Sequence, residues 1–398
     1  MNRELTFFVT EPIEELTVGA IAEEALRRGY TTRFEHRMDA EADLGLYVSH
    51  VNMIPEVRST FSAIMLHDLG QHHVVWPHFW QAEPWDRFDV GLLPGPAWRE
   101  MYEAESLLPG FHGPRLGAFE VGWPKADRLV TGEAALRAEV ASHRERLGIQ
   151  AGPSVLYAPS FENDGKQDDV VQACRDLDCN LLIKQAPWPD SHPEMVANIE
   201  EMANAHRGRH PRLHILDSRM DIMSALAMAD VLVTDESCVM FEALLFGVPS
   251  ISVQDWVVPI KTDRRRVRAR HDFSVLSTRA QLREHIRILL EQGFHAPGLG
   301  KSNTLMGYRD RWFSRRGRAA VATMDLLEWM SGSSPVTSPL HRLFRQQDEL
   351  KQQVTQLQTW RMEVERSLSW RMTRPLRQWA NRVGAVPSGR PSAGGTAR

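Results

Sequence analysis

The stretch from Ala229 to Val253 restricts the folds open to this chain more than any other. Val231–Thr234 is a short aliphatic, β-branched run, the pattern of a strand buried in a parallel sheet. Asp235, Glu236 and Ser237 follow, where a strand hands over to a helix. Val239–Phe246 then reads as an apolar helix. Gly247 supplies the residue without a Cβ that a helix C-terminus favours, and Pro249 ends any continuation. A second strand is expected at Ser250–Val253. The helix begins beside a hydroxyl and a thiol, Ser237 and Cys238. Its unpaired N–H groups and its dipole point at whatever sits there, so the turn can hold an anion such as a nucleotide diphosphate. The plainer alternative is that Asp235 or Ser237 only caps a core helix.

The same alternation runs through most of the chain. Strands are expected at Leu5–Thr10, Thr31–Phe34, Leu44–Ser49, Ala63–Leu66 and Val90–Leu93, with a helix over Val18–Arg28. After a charged helix at Thr131–Leu147 and a linker at Gly148–Pro153, the pattern restarts. Strands are expected at Val155–Ala158, Leu181–Lys184 and Leu213–Leu216 before the two described above, with helices at Val170–Leu177 and Met220–Met228 between them. Helices at Thr278–Glu291 and Arg311–Trp329 are expected to close the second set. This predicts an α/β chain of two doubly wound domains, 1–150 and 151–330, facing a cleft. Ligands of such sheets gather at the carboxyl ends of the strands and between domains.

Several classes are excluded or set aside by composition. The chain of 398 residues holds no run of about 18 apolar residues that would cross a membrane, and its first residues lack the apolar core of a signal peptide. Three cysteines, Cys174, Cys179 and Cys238, are odd in number and lack metal-ligand spacing, which fits a reducing, cytoplasmic setting. No metal site or resident cofactor is expected. Lys261–His271 is a basic run, read either as a solvated loop or as a face for a phosphorylated or lipid-linked acceptor. No nucleic-acid module or aromatic platform accompanies it, so nucleic acid is not an expected partner.

Ser331–Pro339 reads as a linker. Beyond it, Leu343, Leu350, Leu357 and Val364 recur at seven-residue spacing, with Leu340, Gln347, Val354, Arg361 and Leu368 on the alternate seam. Residues 340–383 are expected as a coiled coil that can pair copies of the chain, or as one amphipathic helix. Residues 384–398 have the composition of a disordered tail. From Arg366 onward there are seven arginines and no acid, on a chain of net charge -4. With Trp370 and Trp379, this tail suits the inner-membrane surface.

With these pieces in order, the chain resembles the CDP-glycerol glycerophosphotransferase family of the GT-B class. The resemblance runs from about Ala63 to Val253. It is carried by Ile64–Gln71, Phe88–Tyr102, Gly122-Trp123-Pro124-Lys125-Ala126-Asp127, Val155–Phe161 and, most specifically, Asp221–Ile251. The family's Lys-Pro-His-Pro is here Lys184-Gln185-Ala186-Pro187, with the lysine kept and the histidine lost; His192 is off the spacing. The tail segment Ser367–Arg377 is similar to the ending of bacterial surface-polysaccharide glycosyltransferases.

The resemblance implies a transferase with a nucleotide-diphosphate donor in the second domain. A hydroxyl of a polysaccharide or lipid-linked acceptor would enter from the first. His67 is the expected general base, because an acceptor hydroxyl needs a base titrating near neutrality, and Asp68 is its expected orienting partner. Lys184, after a buried strand, is expected to neutralise a leaving phosphate. Ser237 and Cys238 would hold the diphosphate through their backbone, and Glu242 would accept from ribose hydroxyls. Asp235 is expected to fix the turn, with Ser160 and Arg219 as weaker phosphate contacts. A nucleotide-sugar glycosyltransferase and a non-catalytic scaffold are the alternatives. In either enzymatic reading the protein is expected in the cytoplasm, peripheral on the inner face of the membrane.

Overall fold

The computed structural model describes residues 3–70, 78–188, 192–258, 273–292, 304–333, 357 and 360. The residues up to Pro335 form one compact unit. Of the second unit, from Val336, only Leu357 and Trp360 are described; both are helical and exposed. The coiled coil, the arginine-rich tail and the basic run Lys261–His271 therefore lie outside the described residues.

Two six-stranded sheets organise the first unit, and every strand pair in them is parallel. The first contains β1 (Arg3–Phe8), β2 (Tyr30–Glu35), β3 (Ala42–Tyr47), β4 (Ser59–Met65), β5 (Val90–Leu93) and β6 (Ala118–Glu120), in the order β2-β1-β3-β4-β5-β6. The second contains β7 (Ser154–Tyr157), β8 (Asn180–Ile183), β9 (Leu213–Ile215), β10 (Val231–Thr234), β11 (Ser250–Val253) and β12 (Ser274–Ser277), in the order β12-β11-β10-β7-β8-β9. Helices connect them: α1 (Pro12–Arg27), α2 (Phe79–Ala82), α3 (Pro96–Glu105), α4 (Arg128–Thr131), α5 (Glu133–Leu147), α6 (Lys166–Cys174), α7 (Pro193–His206), α8 (Ile222–Leu226), α9 (Val239–Phe246) and α10 (Leu282–Gln292). Two more, α11 (Thr304–Trp312) and α12 (Ala319–Ser333), follow the second sheet.

The order of strands reverses once in each sheet. In the first the reversal lies between β1 and β3, and in the second between β7 and β10. At such a point adjacent connections leave on opposite faces and open a crevice at the carboxyl ends of the strands. Central strands are buried on both sides, as their aliphatic runs require: Val231–Thr234 and Val155–Tyr157 are fully buried.

The expected strands are present, most of them shifted by one or two residues, and β10, β11 and α9 have the expected bounds. Two edge strands, β6 and β12, escaped the sequence reading; with three and four residues they carry too little pattern. The expected helix Thr131–Leu147 is interrupted at Gly132, and α1 starts six residues early, at a proline in its first turn.

The largest departure concerns Arg311–Trp329. This segment is broken at Phe313–Arg318, where Arg315 and Gly317 both take left-handed backbone (φ 49° and 77°). It also does not close the second sheet alone, because α12 returns to the first. Arg28, just past the end of α1, pairs with Glu328 and Asp325 at 2.8 Å each. The buried carboxylate of Asp127 accepts from the N–H groups of Ala319 (2.9 Å) and Ala320 (2.8 Å), capping α12 from a distant part of the chain. The passage is close-packed. A Cβ built on Gly95 falls 2.3 Å from the Trp312 carbonyl oxygen, and one on Gly122 falls 2.6 Å from that of Ser314. This gives Gly122 and Asp127, both in the Gly-x-Pro-x-x-Asp motif, a structural purpose. They receive the segment that ties the two lobes together.

Asp127→Ala should therefore lower stability by about 1–2 kcal/mol through the lost cap. Chemical denaturation measures this as a shift in midpoint, and an unchanged midpoint would remove the capping account.

Candidate active site

The switch point of the first sheet gathers a hydrogen-bonded cluster. Thr10 and Glu11 follow β1, Pro12 starts α1, and Glu14 sits one turn in, so its carboxylate folds back over the helix N-terminus. Glu14 is fully buried. It accepts from the Thr10 amide, from the Glu11 amide at 3.1 Å and from the Ser49 hydroxyl at 2.9 Å. His67, just beyond β4, places Nδ1 2.7 Å from Glu14 Oε1, and the His50 ring lies 4.6 Å from the His67 ring.

Burial alone would push the His67 pKa down. The Glu14 hydrogen bond and the charges of Asp68, Glu14 and Glu11 outweigh it and raise the pKa to about 9. Burial likewise opposes the charge on Glu14, yet His67 and the surrounding donors hold its carboxyl below the usual range. At neutral pH the pair is an imidazolium and a carboxylate. The orienting carboxylate is thus Glu14 and not Asp68. Asp68 instead accepts from the Gly70 amide at 2.6 Å and shapes the loop. Nothing in the spacing of Glu14 and His67, 53 residues apart, announced the pair; the only sequence signal was a carboxylate at the start of a helix after the first strand.

At the second switch point, Asp235 is fully buried and ties the loop after β7 to the end of β10. Oδ1 accepts from the Ser160 amide and Oδ2 from the Ser160 hydroxyl, each at 2.8 Å. Lys166, also fully buried, donates to Oδ2 at 2.9 Å. Asp235 thus braces the loop after β7 against the end of β10. This also commits the Ser160 hydroxyl proton to Asp235. Lys166, on α6, had no sequence signal at all.

Ser237 is buried, and its hydroxyl accepts weakly from the Val239 amide at 3.4 Å. Cys238 caps α9 and is half-buried. Burial, together with the charges of Asp68 and Glu242, pushes its thiol pKa well up, so the thiol stays neutral. The His67–Gly70 loop reaches this helix tip. A Cβ built on Gly70 would stand 3.4 Å from the Cys238 nitrogen. Without a side chain there, the loop can lie close against the tip.

Glu242 neither lies on a solvated face nor offers itself to a sugar. It is buried, and Oε1 accepts from Lys125 Nζ at 2.9 Å. Lys125 comes from the Gly-x-Pro motif of the first lobe. Burial opposes its charge, but Glu242 and Asp221 prevail and raise its pKa.

Lys184 is buried after β8 and donates to the carbonyls of Gln185 (2.7 Å) and Ser218 (2.8 Å). Burial and the neighbouring Lys125 charge lower its pKa to about 8. Where the family places its histidine, Ala186 is exposed. Gln185 beside it turns inward to Glu162, which also accepts from Tyr157 at 3.0 Å and is pushed up to about 7 by burial. His192 lies against the Trp188 ring at 5.0 Å. Arg219 is exposed on the loop after the edge strand β9, and its amide donates to Asp217. Among the described residues no group of acidic, histidine or cysteine side chains is arranged to hold a metal ion, and no helix is long and apolar enough to cross a membrane.

Two doubly wound lobes, with the loop of one laid on a helix tip at the other's switch point, define a GT-B-like fold. The model of the family described as CDP-glycerol:poly(glycerophosphate) glycerophosphotransferase matches residues 95–258. The chain is a glycerophosphotransferase-like enzyme, and the resemblance read from its motifs is borne out.

Solved structures agree on the fold. The wall teichoic acid polymerase TagF (H444N variant) is 15% identical, with a TM-score of 0.54 over 87% of this chain and 90% of that one. The same variant soaked with CDPG gives 14%, 0.57, 83% and 89%. The UDP-GlcNAc 2-epimerase of Neisseria meningitidis, bound to UDP-GlcNAc, gives 12%, 0.51, 82% and 99%. No curated protein matches the chain by sequence.

The Glu14–His67 pair gives a pH prediction. His67 is raised, so its contribution to stability is complete below its ordinary pKa of 6.5 and fades as pH rises through about 9. Glu14 is lowered, so its contribution is lost as pH falls through its folded pKa. The pair stabilises most between the two ordinary values, 4.5 and 6.5. Titration of the His67 ring by NMR should give a midpoint near 9, and Glu14→Gln should bring it toward 6.5. A midpoint that Glu14→Gln does not move would dissolve the pair.

Proposed function

We propose that this enzyme moves a glycerol-phosphate or related polyol-phosphate unit from a CDP-activated donor to a hydroxyl of a cell-envelope polysaccharide or lipid-linked acceptor. The observation that carries the proposal is the approach of the His67 loop to the tip of α9. It supports a base and a diphosphate site sharing one groove. The family match over residues 95–258, which include most of the second lobe, supports the donor class.

In this reading the donor diphosphate lies against the Ser237–Val239 backbone. His67, once deprotonated, takes the acceptor's hydroxyl proton at its outer nitrogen. The acceptor oxygen bonds to the outer phosphorus, the bridging P–O bond breaks, and CMP departs. Lys184 meets the charge developing on the leaving phosphate. A base with a pKa of about 9 is only about one part in a hundred deprotonated at pH 7, but is correspondingly strong in that fraction. In the same reading the arginine- and tryptophan-bearing tail meets the inner face of the membrane, and the heptad segment pairs chains.

A second reading, transfer from a nucleotide sugar, is favoured by one observation. The family histidine is replaced at Ala186, and Gln185 beside it is turned away to Glu162.

The test is incubation of the full chain with CDP-glycerol and a panel of UDP-sugars, with products identified by mass spectrometry. CMP release with CDP-glycerol is expected, and His67→Asn should cut kcat by about 10²–10⁴. The kcat/KM profile should rise with pH toward a limb near 9. Turnover of a UDP-sugar alone would select the second reading. Failure to bind any nucleotide would leave the scaffold.

A further inference from the structure

The buried pair Lys125–Glu242 crosses between the lobes inside the proposed donor site, and neither the motif reading nor the donor chemistry requires it. Glu242 stands in the first turn of α9 and is buried, as is Lys125. A carboxylate there opposes the anion that the same helix tip would attract. Its influence already reaches the tip, since Glu242 is one of the charges that raise the Cys238 thiol. Lys125 answers it at 2.9 Å from the other lobe. The remaining charges around Lys125 are Asp221, whose carboxylate is engaged by Arg128, and the ammonium of Lys184. With Lys125 in place the tip faces the groove without a bare negative charge behind it.

We propose that Lys125 is a positioning residue. By neutralising Glu242 from the facing lobe, it keeps the N-terminus of α9 able to accept a diphosphate, and it does so only while the lobes are docked. This rests on the donor site proposed above. It assigns Lys125 to Glu242 and not to the phosphates, and it removes Glu242 from the ribose.

The experiment is calorimetric binding of CDP and of cytidine, which carries the same base and sugar without phosphate, to the full chain. Wild type should prefer CDP. Lys125→Met should weaken CDP by roughly ten- to a hundredfold and leave cytidine unchanged, since only the anion feels the exposed carboxylate. Adding Glu242→Gln should return CDP binding to within about threefold of wild type. A merely structural pair would move cytidine and CDP together, and that overturns the inference. So does a double variant that stays as weak as Lys125→Met, because Lys125 then serves the phosphates directly.

Should Lys125→Met alone fail to fold, the apolar pair Lys125→Met with Glu242→Leu takes its place, since a buried ion pair exchanged whole for apolar groups is commonly tolerated. CDP affinity within a few fold of wild type supports the inference, and a loss beyond tenfold overturns it. A wild-type chain that does not distinguish CDP from cytidine overturns this inference together with the donor reading. If wild type prefers CDP and Lys125→Met binds it equally well, the inference falls alone.

Discussion

A carboxylate removed from water must find cations or hydrogen-bond donors, or give up its charge. Among the described residues, three of the carboxylates buried near the ligand crevices are each answered by a residue far away in sequence. Glu14 is answered by His67, Asp235 by Lys166 and Glu242 by Lys125. The first pair ties the loop after β4 to the loop after β1. The second ties α6 to the end of β10. The third joins the lobes. Each partnership is costly to break from one side, because the survivor is left charged and dry. The geometry of the groove is therefore fixed by electrostatics as much as by the apolar cores beneath it.

The parallel sheets decide where those pairs can form. With every strand running the same way, the loops at the carboxyl ends lie on one edge, and the reversal of strand order leaves a gap between neighbouring connections. Thr10, Ser49 and Glu14 fill the gap of the first sheet; Ser160, Asp235 and Ser237 fill that of the second. The lobes then need only a small contact to bring the two gaps together. Gly70 against Cys238 supplies one, Lys125 with Glu242 another, and the passage of α11 and α12 past Gly95 and Gly122 holds both in register.

Local signals in the chain were legible for the same physical reasons that make the fold. β10, α9 and β11 could be placed to the residue because a β-branched run, an apolar helix and a Gly–x–Pro stop follow one another without ambiguity. Asp235 could be placed at the turn, but the partners that hold it there, Ser160 and Lys166, lie 75 and 69 residues away. What failed to show was anything built by distance. Glu14 and His67 meet across a sheet, and Lys125 meets Glu242 across lobes, 117 residues away. Sequence proximity pointed to Asp68 as the partner of His67, but a carboxylate one residue away is better placed to turn the loop than to face the ring. Glu242 was expected at a ribose because the pattern of α9 sees its own helix and not the lobe opposite. The edge strands and the break before α12 were lost because three or four residues carry no period.

The charge state of the groove follows from these pairings and bears on how transfer can proceed. His67 rests protonated, while Lys184 is held near 8 by burial and by its neighbour Lys125. An entering polyanion favours the charged form of each. In the proposed reaction, donor binding strengthens the cation set against the leaving phosphate, yet makes the proposed base harder to free. The two demands are reconciled by their separation. Lys184 is anchored to backbone carbonyls in the second lobe, and His67 to a carboxylate deep in the first. In that proposed reaction, with Glu14 to hold the imidazolium that results, proton transfer from the acceptor ends in a neutral pair of charges and not in an isolated buried cation. That carboxylate, more than the histidine alone, makes the first lobe a place where a proton can be left.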